Sequence, residues 1–290
     1  MEQAKTVFRS LLESFVFGNI LVAFCGIALS LSTYLILDLE TTKLSFSILA
    51  LIFFACLFIY NLNVFFLGKF DQTVAREKWK EDNLRVVKIF SLFSVVPILF
   101  YARSLSINSL WILSHLFLLA ILYVVPIKFN GKYYSFRKIP LLKIFILAYV
   151  WSFVTVVLPA TEAGFLEADK VVLLFLERFL FIVGISIPFD IRDYERDKAQ
   201  GTLTIPVWMG KRNALITSFL LVMIFVSFSV IFYEWSFITF SRVISGLLAL
   251  LFIVNVVKVK EEFYFLFCLD GLMLLHFLIL WISKQSFFIT

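Results

Sequence analysis

The chain has 290 residues, 62% of them hydrophobic and only 16% charged, with a formal net charge of +6. A soluble globular chain carries nearer a quarter charged residues, so this composition excludes that class and belongs to membrane proteins. The basic residues lie between apolar runs rather than along one stripe, which excludes a nucleic-acid-binding domain and makes them topology signals and phosphate contacts.

At the amino terminus, Lys5 and Arg9 precede an apolar run that continues to Leu37 with no small-residue cleavage site. That pattern predicts a first membrane helix rather than a signal peptide. A helix crossing roughly 30 Å of hydrocarbon needs about 20 apolar residues. On that rule the chain predicts an all-α bundle of about nine transmembrane helices, at about 15–37, 44–67, 86–102, 109–127, 143–161, 170–189, 213–233, 239–257 and 263–283. The third is short and contains Pro97. No linker or low-complexity tract interrupts the series, which predicts one polytopic membrane domain over 1–290.

With alternate loops assigned to alternate faces, only Lys43, Arg103, Lys170, Arg178, Arg242 and Lys284 of the 26 basic residues fall on one side. The positive-inside rule then puts the amino terminus and the long basic loops in the cytoplasm, in the inner membrane if the cell is bacterial. Cys25, Cys56, Cys268, His115 and His276 fit neither a metal-binding spacing nor a disulfide framework. The 37 phenylalanines suit a lipid-facing surface. Charged groups inside spans are costly and face a partner or a wet cavity. Glu177 and Arg178 in the sixth span are expected to pair between helices, and Asp270 in the ninth stands at the depth of a cavity wall.

Leaving the sixth span, Asp190, Asp193 and Asp197 are spaced i, i+3, i+7, which places three carboxylates on one stripe of a helix. Like charges in register disfavour an isolated helix by about 0.2–0.5 kcal/mol per pair. A cation relieves that repulsion, and Mg²⁺ suits it because it takes one or two carboxylates and completes its shell with water and phosphate oxygens. Pairing of the same acids with Arg192, Arg196 and Lys198 at a solvated helix end is the other reading of this spacing.

The stretch continues through Lys198, Gly201, Thr204, Pro206 and Val207 to Gly210-Lys211-Arg212. As a whole, 190–212 resembles the second aspartate-rich motif of the UbiA family of intramembrane prenyltransferases, D-x-x-D-x-x-x-D followed by a basic residue, glycine and a T-x-P-V-like turn. The family's first motif, N-D-x-x-D-x-x-x-D, is matched only at its ends, by Asn63 and Asp71. Val64 and Leu67 stand where acids are expected, and the family's downstream Arg-Pro pair is absent.

The resemblance implies a UbiA-like bundle in which Asp190, Asp193, Asp197, Asn63 and Asp71 hold Mg²⁺ against a prenyl diphosphate. Tyr123 and Lys128 at the end of the fourth span, with Arg137 and Lys198, would meet the diphosphate. The implied reaction is Mg²⁺-dependent transfer of a prenyl group from a polyprenyl diphosphate to an aromatic or lipid acceptor within the bilayer, with no role for nucleic acid. A degenerate isoprenoid- or lipid-binding protein of the same fold is the alternative. A transporter is a further one, although no internal repeat is visible.

Overall fold

The computed structural model describes residues 2–66, 74–124, 127–129, 132–134, 139, 141–256, 258–259 and 261–287. It is helical throughout apart from one two-stranded hairpin. Helices α1 (Glu2–Phe17) and α2 (Ile20–Ile36) are followed by α3 (Lys43–Asn61), a 3₁₀ turn at Leu62–Phe65, and α4 (Ala75–Asp82). Next come α5 (Leu84–Phe93), α6 (Val95–Ala102), α7 (Ile107–Val124) and the antiparallel strands β1 (Ile127–Phe129) and β2 (Lys132–Tyr134), with Lys128 opposite Tyr133. Helix α8 (Leu142–Ser152) passes through a π-helical turn, Phe153–Val157, into α9 (Leu158–Glu162). Helices α10 (Ala168–Arg192), α11 (Tyr194–Ala199), α12 (Ile205–Met209), α13 (Lys211–Ile231) and α14 (Phe237–Asn255) lead to α15 (Glu262–Tyr264). A second π-helical turn, Phe265–Leu269, joins α15 to α16 (Gly271–Phe287).

Among the described residues seven helices are long and apolar enough to cross a bilayer, or eight if α1 and α2 count as one bent span. The chain is an integral multi-pass membrane protein. Of the nine expected segments, the fourth is helical at Ile107–Tyr123 but too short to pass the same test, and Ile127 at its expected end lies in β1. Packing closes a ring: α8 lies on α10, α10 on α13, α13 on α14, α14 on α16, α16 on α2, and α2 on the π turn after α8. The main hydrophobic cluster runs through this ring, with Leu29, Ile187, Val222, Ile253 and Leu269 fully enclosed. Phe46, Phe90, Phe93, Phe100 and Phe240 point outward, as a lipid-facing surface requires.

Two breaks have local causes. The first span is bent by 60° where Asn19 adopts the left-handed conformation, φ 65°. Asn tolerates that region better than other non-glycine residues. The third span is interrupted at Ser94, three residues before Pro97, whose missing N–H leaves the carbonyl one turn earlier without its helical partner.

The first bend is held by a buried amide knot. Asn19 Nδ2 donates to Asn61 Oδ1 (2.7 Å) and to the Tyr60 carbonyl (3.3 Å), and Asn61 Nδ2 donates to the carbonyls of Gly18 (3.1 Å) and Leu57 (3.0 Å). Lys80 of α4 is buried and donates to the same Tyr60 carbonyl at 3.2 Å. Burial, with Arg76 close by, pulls its ammonium well below the usual lysine range. This knot fixes the end of α3 and hence the start of the turn carrying Asn63. Asn61→Ala is expected to lower stability by about 1–3 kcal/mol, because it strands the Asn19 amide without solvent. Thermal unfolding in detergent reads this directly, and an unchanged midpoint would contradict the role.

In the half of the bundle away from the aspartates along α10, Glu177 accepts from Arg242 Nε (2.9 Å) and Ser229 Oγ (2.9 Å) at one oxygen and meets Arg242 Nη2 at the other. Arg178 instead donates to Ser32 Oγ at 2.9 Å. The Arg242 guanidinium stacks 3.6 Å from the Tyr233 ring centroid. Pairing between helices is therefore what both residues do, with Arg242 and Ser32 as the partners.

Candidate functional site

Helix α10 carries the first of the three aspartates to the end of the bundle, and Pro188 lies in its last turns. The expected single helix across all three is interrupted: Asp193 caps α10 at φ −85°, ψ 4°, and α11 begins at Tyr194. The helical path nevertheless carries across the break. The Asp193 N–H donates to the Phe189 carbonyl (3.0 Å) and the Asp197 N–H to the Asp193 carbonyl (2.9 Å). Gly201 then reverses the chain at φ 69°, a left-handed turn that a side chain disfavours. The Thr202 N–H closes that turn on the Asp197 carbonyl (2.8 Å), and Leu203 accepts from the Leu141 N–H (3.1 Å). The result is a narrow cleft lined by Asp190, Lys143, Leu141, Thr204 and Ile205.

The three carboxylates stay within electrostatic reach of one another, and Lys143 is within reach of all three. Each is placed differently. Asp190 is buried and its Oδ1 accepts from Lys143 Nζ at 2.5 Å. Both oxygens of Asp193 are held by guanidinium groups: Arg192 is bidentate (2.9 and 3.1 Å) and Arg196 Nη2 adds 2.8 Å. Burial works against the charged form of Asp193, but these arginines hold its carboxyl below the ordinary value. Asp197 has no such partner. Burial, aided by the nearby Asp190 and Asp193 charges, pushes its carboxyl above the ordinary value, and its Oδ2 is buried without a hydrogen bond.

Among the described residues further polar groups are unsatisfied. Asn63 Oδ1 and Thr204 Oγ1 are buried acceptors without partners, and Arg192 Nη1 is a buried donor without one. The Arg192 guanidinium is held between the rings of Phe265 (5.1 Å) and Phe189 (5.5 Å). Among the described residues no group of three or more His, Cys, Asp or Glu is assembled as a metal cage. The carboxylates are nonetheless hard oxygen donors, with a free acceptor on Asp197, while no contact of Asn63 with them is seen among the described residues. The carboxylates fit a hydrated Mg²⁺ that takes few protein ligands and fills its shell with water and phosphate. The free Arg192 N–H supplies the complementary donor for a phosphate oxygen.

Lys198, expected to meet the diphosphate, is exposed and lies over the Tyr194 ring (5.8 Å), with Lys211 on the same ring at 4.5 Å. Tyr123 is half-buried near the end of α7, within electrostatic reach of Tyr60. Lys128 lies in β1, with its side chain outside the described residues, as are Asp71 and Arg137. The cations that the fold does bring to the carboxylates are Lys143, Arg192 and Arg196. The two arginines match the ion-pairing reading of the helix end. Lys143 follows Arg137 in the basic loop after the fourth span, and no local signal tied it to Asp190, 47 residues away.

No protein-family model matches the chain, and no curated protein matches it. Solved structures do. A structure of digeranylgeranylglyceryl phosphate synthase is 21% identical over 99% of this chain and 100% of that one, with a TM-score of 0.58. A UbiA homologue from Aeropyrum pernix K1 is 16% identical over 91% and 96%, with a TM-score of 0.68. A UbiA homologue from Archaeoglobus fulgidus bound to DMAPP and Mg²⁺ is 12% identical over 94% and 99%, with a TM-score of 0.61. What these likenesses establish is the fold: this all-helical membrane bundle is UbiA-like over nearly its whole length.

Proposed function

We propose that this chain is an intramembrane prenyltransferase, moving a prenyl group from a polyprenyl diphosphate to an aromatic or lipid acceptor with the help of Mg²⁺. The observation that carries the reading is an unsatisfied oxygen acceptor on Asp197 and an unsatisfied guanidinium donor on Arg192, joined through Asp193, which Arg192 grips and which lies within electrostatic reach of Asp197. Such a set answers both halves of a metal–diphosphate. The UbiA-like fold and the diphosphate- and Mg²⁺-bound neighbour from Archaeoglobus fulgidus support it.

In this reading Asp190, Asp193 and Asp197, with Asn63 from the turn after α3 and Asp71 further along the sequence, hold the ion. Bound there, Mg²⁺ would neutralise the charge that gathers on the departing diphosphate. Arg192 and Lys143 contribute fixed positive charge at the same place, while Lys128, Arg137, Lys198 and Tyr123 line the approach. The apolar chain lies between helices, where aromatic faces shield an allylic cation and attract it by about 0.5–2 kcal/mol. The one-sided distribution of Lys and Arg supports a cytoplasmic aspartate end and amino terminus, with 1–290 acting as one membrane domain.

A non-catalytic isoprenoid-binding protein is the second reading. It is favoured by Val64, buried at 2% exposure where the family motif has an acid, and by the occupation of both Asp193 oxygens by arginines. Titration of geranyl diphosphate into nanodisc-reconstituted protein, with Mg²⁺ or with EDTA, followed by a product assay against a broad acceptor panel, separates the two. The enzyme binds in Mg²⁺ and turns over, and the binder only binds. Absence of Mg²⁺-dependent binding would remove both.

A further inference from the structure

Among the described residues, Asp270 is an acid deep inside a span whose carboxylate is left free. It follows the π-helical turn Phe265–Leu269, and its N–H reaches back to the Phe265 carbonyl at 3.3 Å. Such one-turn bulges interrupt regular helices most often at functional positions. Its backbone carbonyl accepts from the Cys25 thiol (3.2 Å), which locks the residue against α2. The carboxylate itself makes no hydrogen bond or ion pair among the described residues, and the residue keeps part of its surface accessible eight residues, about 12 Å, inside the helix that begins at Glu262. Glu177 shows how this fold treats a structural acid: it is fully enclosed, held by Arg242 and capped by Ser229. Asp270 receives none of that.

Its surroundings connect it to the aspartate site. Arg192, which grips Asp193, is within electrostatic reach of Asp270, and Arg76 of α4 is the other charged group within reach. The remaining titratable neighbours are Cys25 from α2, with Tyr60 from α3. Trp151 Nε1 of α8 donates to the Tyr60 hydroxyl oxygen at 2.9 Å, so the phenolic proton of Tyr60 is left for another acceptor. Among the described residues, a carboxylate without a partner and a phenol with its proton uncommitted are thus within electrostatic reach of each other, and Arg192, seated over Phe265 at the start of the π turn, links the carboxylate to the aspartate end. A hydroxyl, which both donates and accepts, is the group that satisfies both.

We infer that Asp270 is a catalytic general base and that the acceptor is a lipid-soluble alcohol or phenol, the product being an ether; the inference rests on the prenyl-transfer reading above. The allylic carbon–oxygen bond of the diphosphate breaks with its electron pair leaving on the diphosphate oxygen. A lone pair of the acceptor oxygen forms the new carbon–oxygen bond. The proton of that hydroxyl passes to Asp270 Oδ, while Tyr60 orients the acceptor oxygen. No oxidant or reductant is needed.

The test uses the full chain in nanodiscs with geranyl diphosphate and Mg²⁺, and three hydroxyl acceptors: geranylgeranylglyceryl phosphate, a long-chain alcohol and an alkyl phenol. The wild type forms an ether with at least one, with a rate that rises with pH along a single ionisation. Asp270→Asn lowers kcat by about 100-fold or more and removes that pH limb, in the range expected for a lost general base, while geranyl diphosphate Kd stays within about twofold. Asp270→Glu regains part of the rate. An Asp270→Asn enzyme with near-normal kcat or an unchanged pH limb overturns the inference. So does one that loses diphosphate binding together with turnover, since that marks a structural residue. Wild type that binds geranyl diphosphate but forms no ether overturns the acceptor assignment and leaves diphosphate binding standing. Wild type that binds no diphosphate defeats the underlying reading as well.

Discussion

Asp197→Asn is expected to weaken Mg²⁺-dependent binding of geranyl diphosphate by about 100-fold or more, with little change in folding. Altering groups that merely support a ligand typically costs about 10–100-fold in metal affinity, and Asp197 is argued to be a ligand itself. Of the three aspartates it alone has a buried oxygen without a partner, and it lies beside two like charges. Removing its charge relieves repulsion in the free protein and removes attraction in the complex, so stability and affinity move in opposite directions. Thermal unfolding without Mg²⁺ should hold steady or rise slightly while isothermal titration shows the loss. A variant that binds as the wild type does would remove Asp197 from the site.

The same residue sets a pH dependence. The Asp197 carboxyl lies above its ordinary 3.8 in the folded chain, so the folded state holds this proton more tightly than the unfolded one. Its contribution to stability is therefore greatest below 3.8 and is lost as pH rises through the raised value. Ion binding needs the deprotonated form. Affinity for Mg²⁺–diphosphate should accordingly fall on acidification at a pH where ordinary carboxylates are still ionised, and Asp197→Asn should abolish that component.

The second large effect belongs to the opposite half of the bundle. Glu177→Gln is expected to destabilise the protein by about 3–5 kcal/mol, the usual consequence of leaving a buried charge unpaired. Arg242 is wholly enclosed and Glu177 is the acid that pairs it, so removal of that acid leaves a buried guanidinium group without its counter-charge. The double variant Glu177→Leu with Arg242→Met should recover much of the loss, because the pair is removed as a unit. Unfolding in mixed detergent micelles measures both. Equal losses in the single and double variants would show that shape, not charge, holds α10 to α14.

Spans were legible because the bilayer demands runs of apolar residues, and seven or eight of the nine expected ones are long and apolar enough to cross it. Interruptions were legible only where the residue type signals them. Pro97 marked a weak third span, whereas nothing in Gly18-Asn19 announces a 60° bend that depends on an amide from Asn61. The aspartates were legible as a cluster, since i, i+3, i+7 spacing survives the break at Asp193. Their partners were less so. Arg192 and Arg196 are neighbours in sequence and were readable, but Lys143 reaches Asp190 from another helix, and side-chain pairing over that separation leaves no periodic trace. The role of Asp270 was open for the same reason: only the packing shows that its carboxylate is left alone while that of Glu177 is tied.

The Glu177–Arg242 pair also constrains how the molecule is made. Its members are 65 residues apart, so a ribosome adding about 5–20 residues per second delivers the acid roughly 3–13 s before its counter-ion. Throughout that interval the nascent chain holds an uncompensated carboxyl at membrane depth, and α14 is the helix that ends the exposure. A chain arrested ahead of α14 therefore lacks the guanidinium that satisfies this acid in the finished bundle.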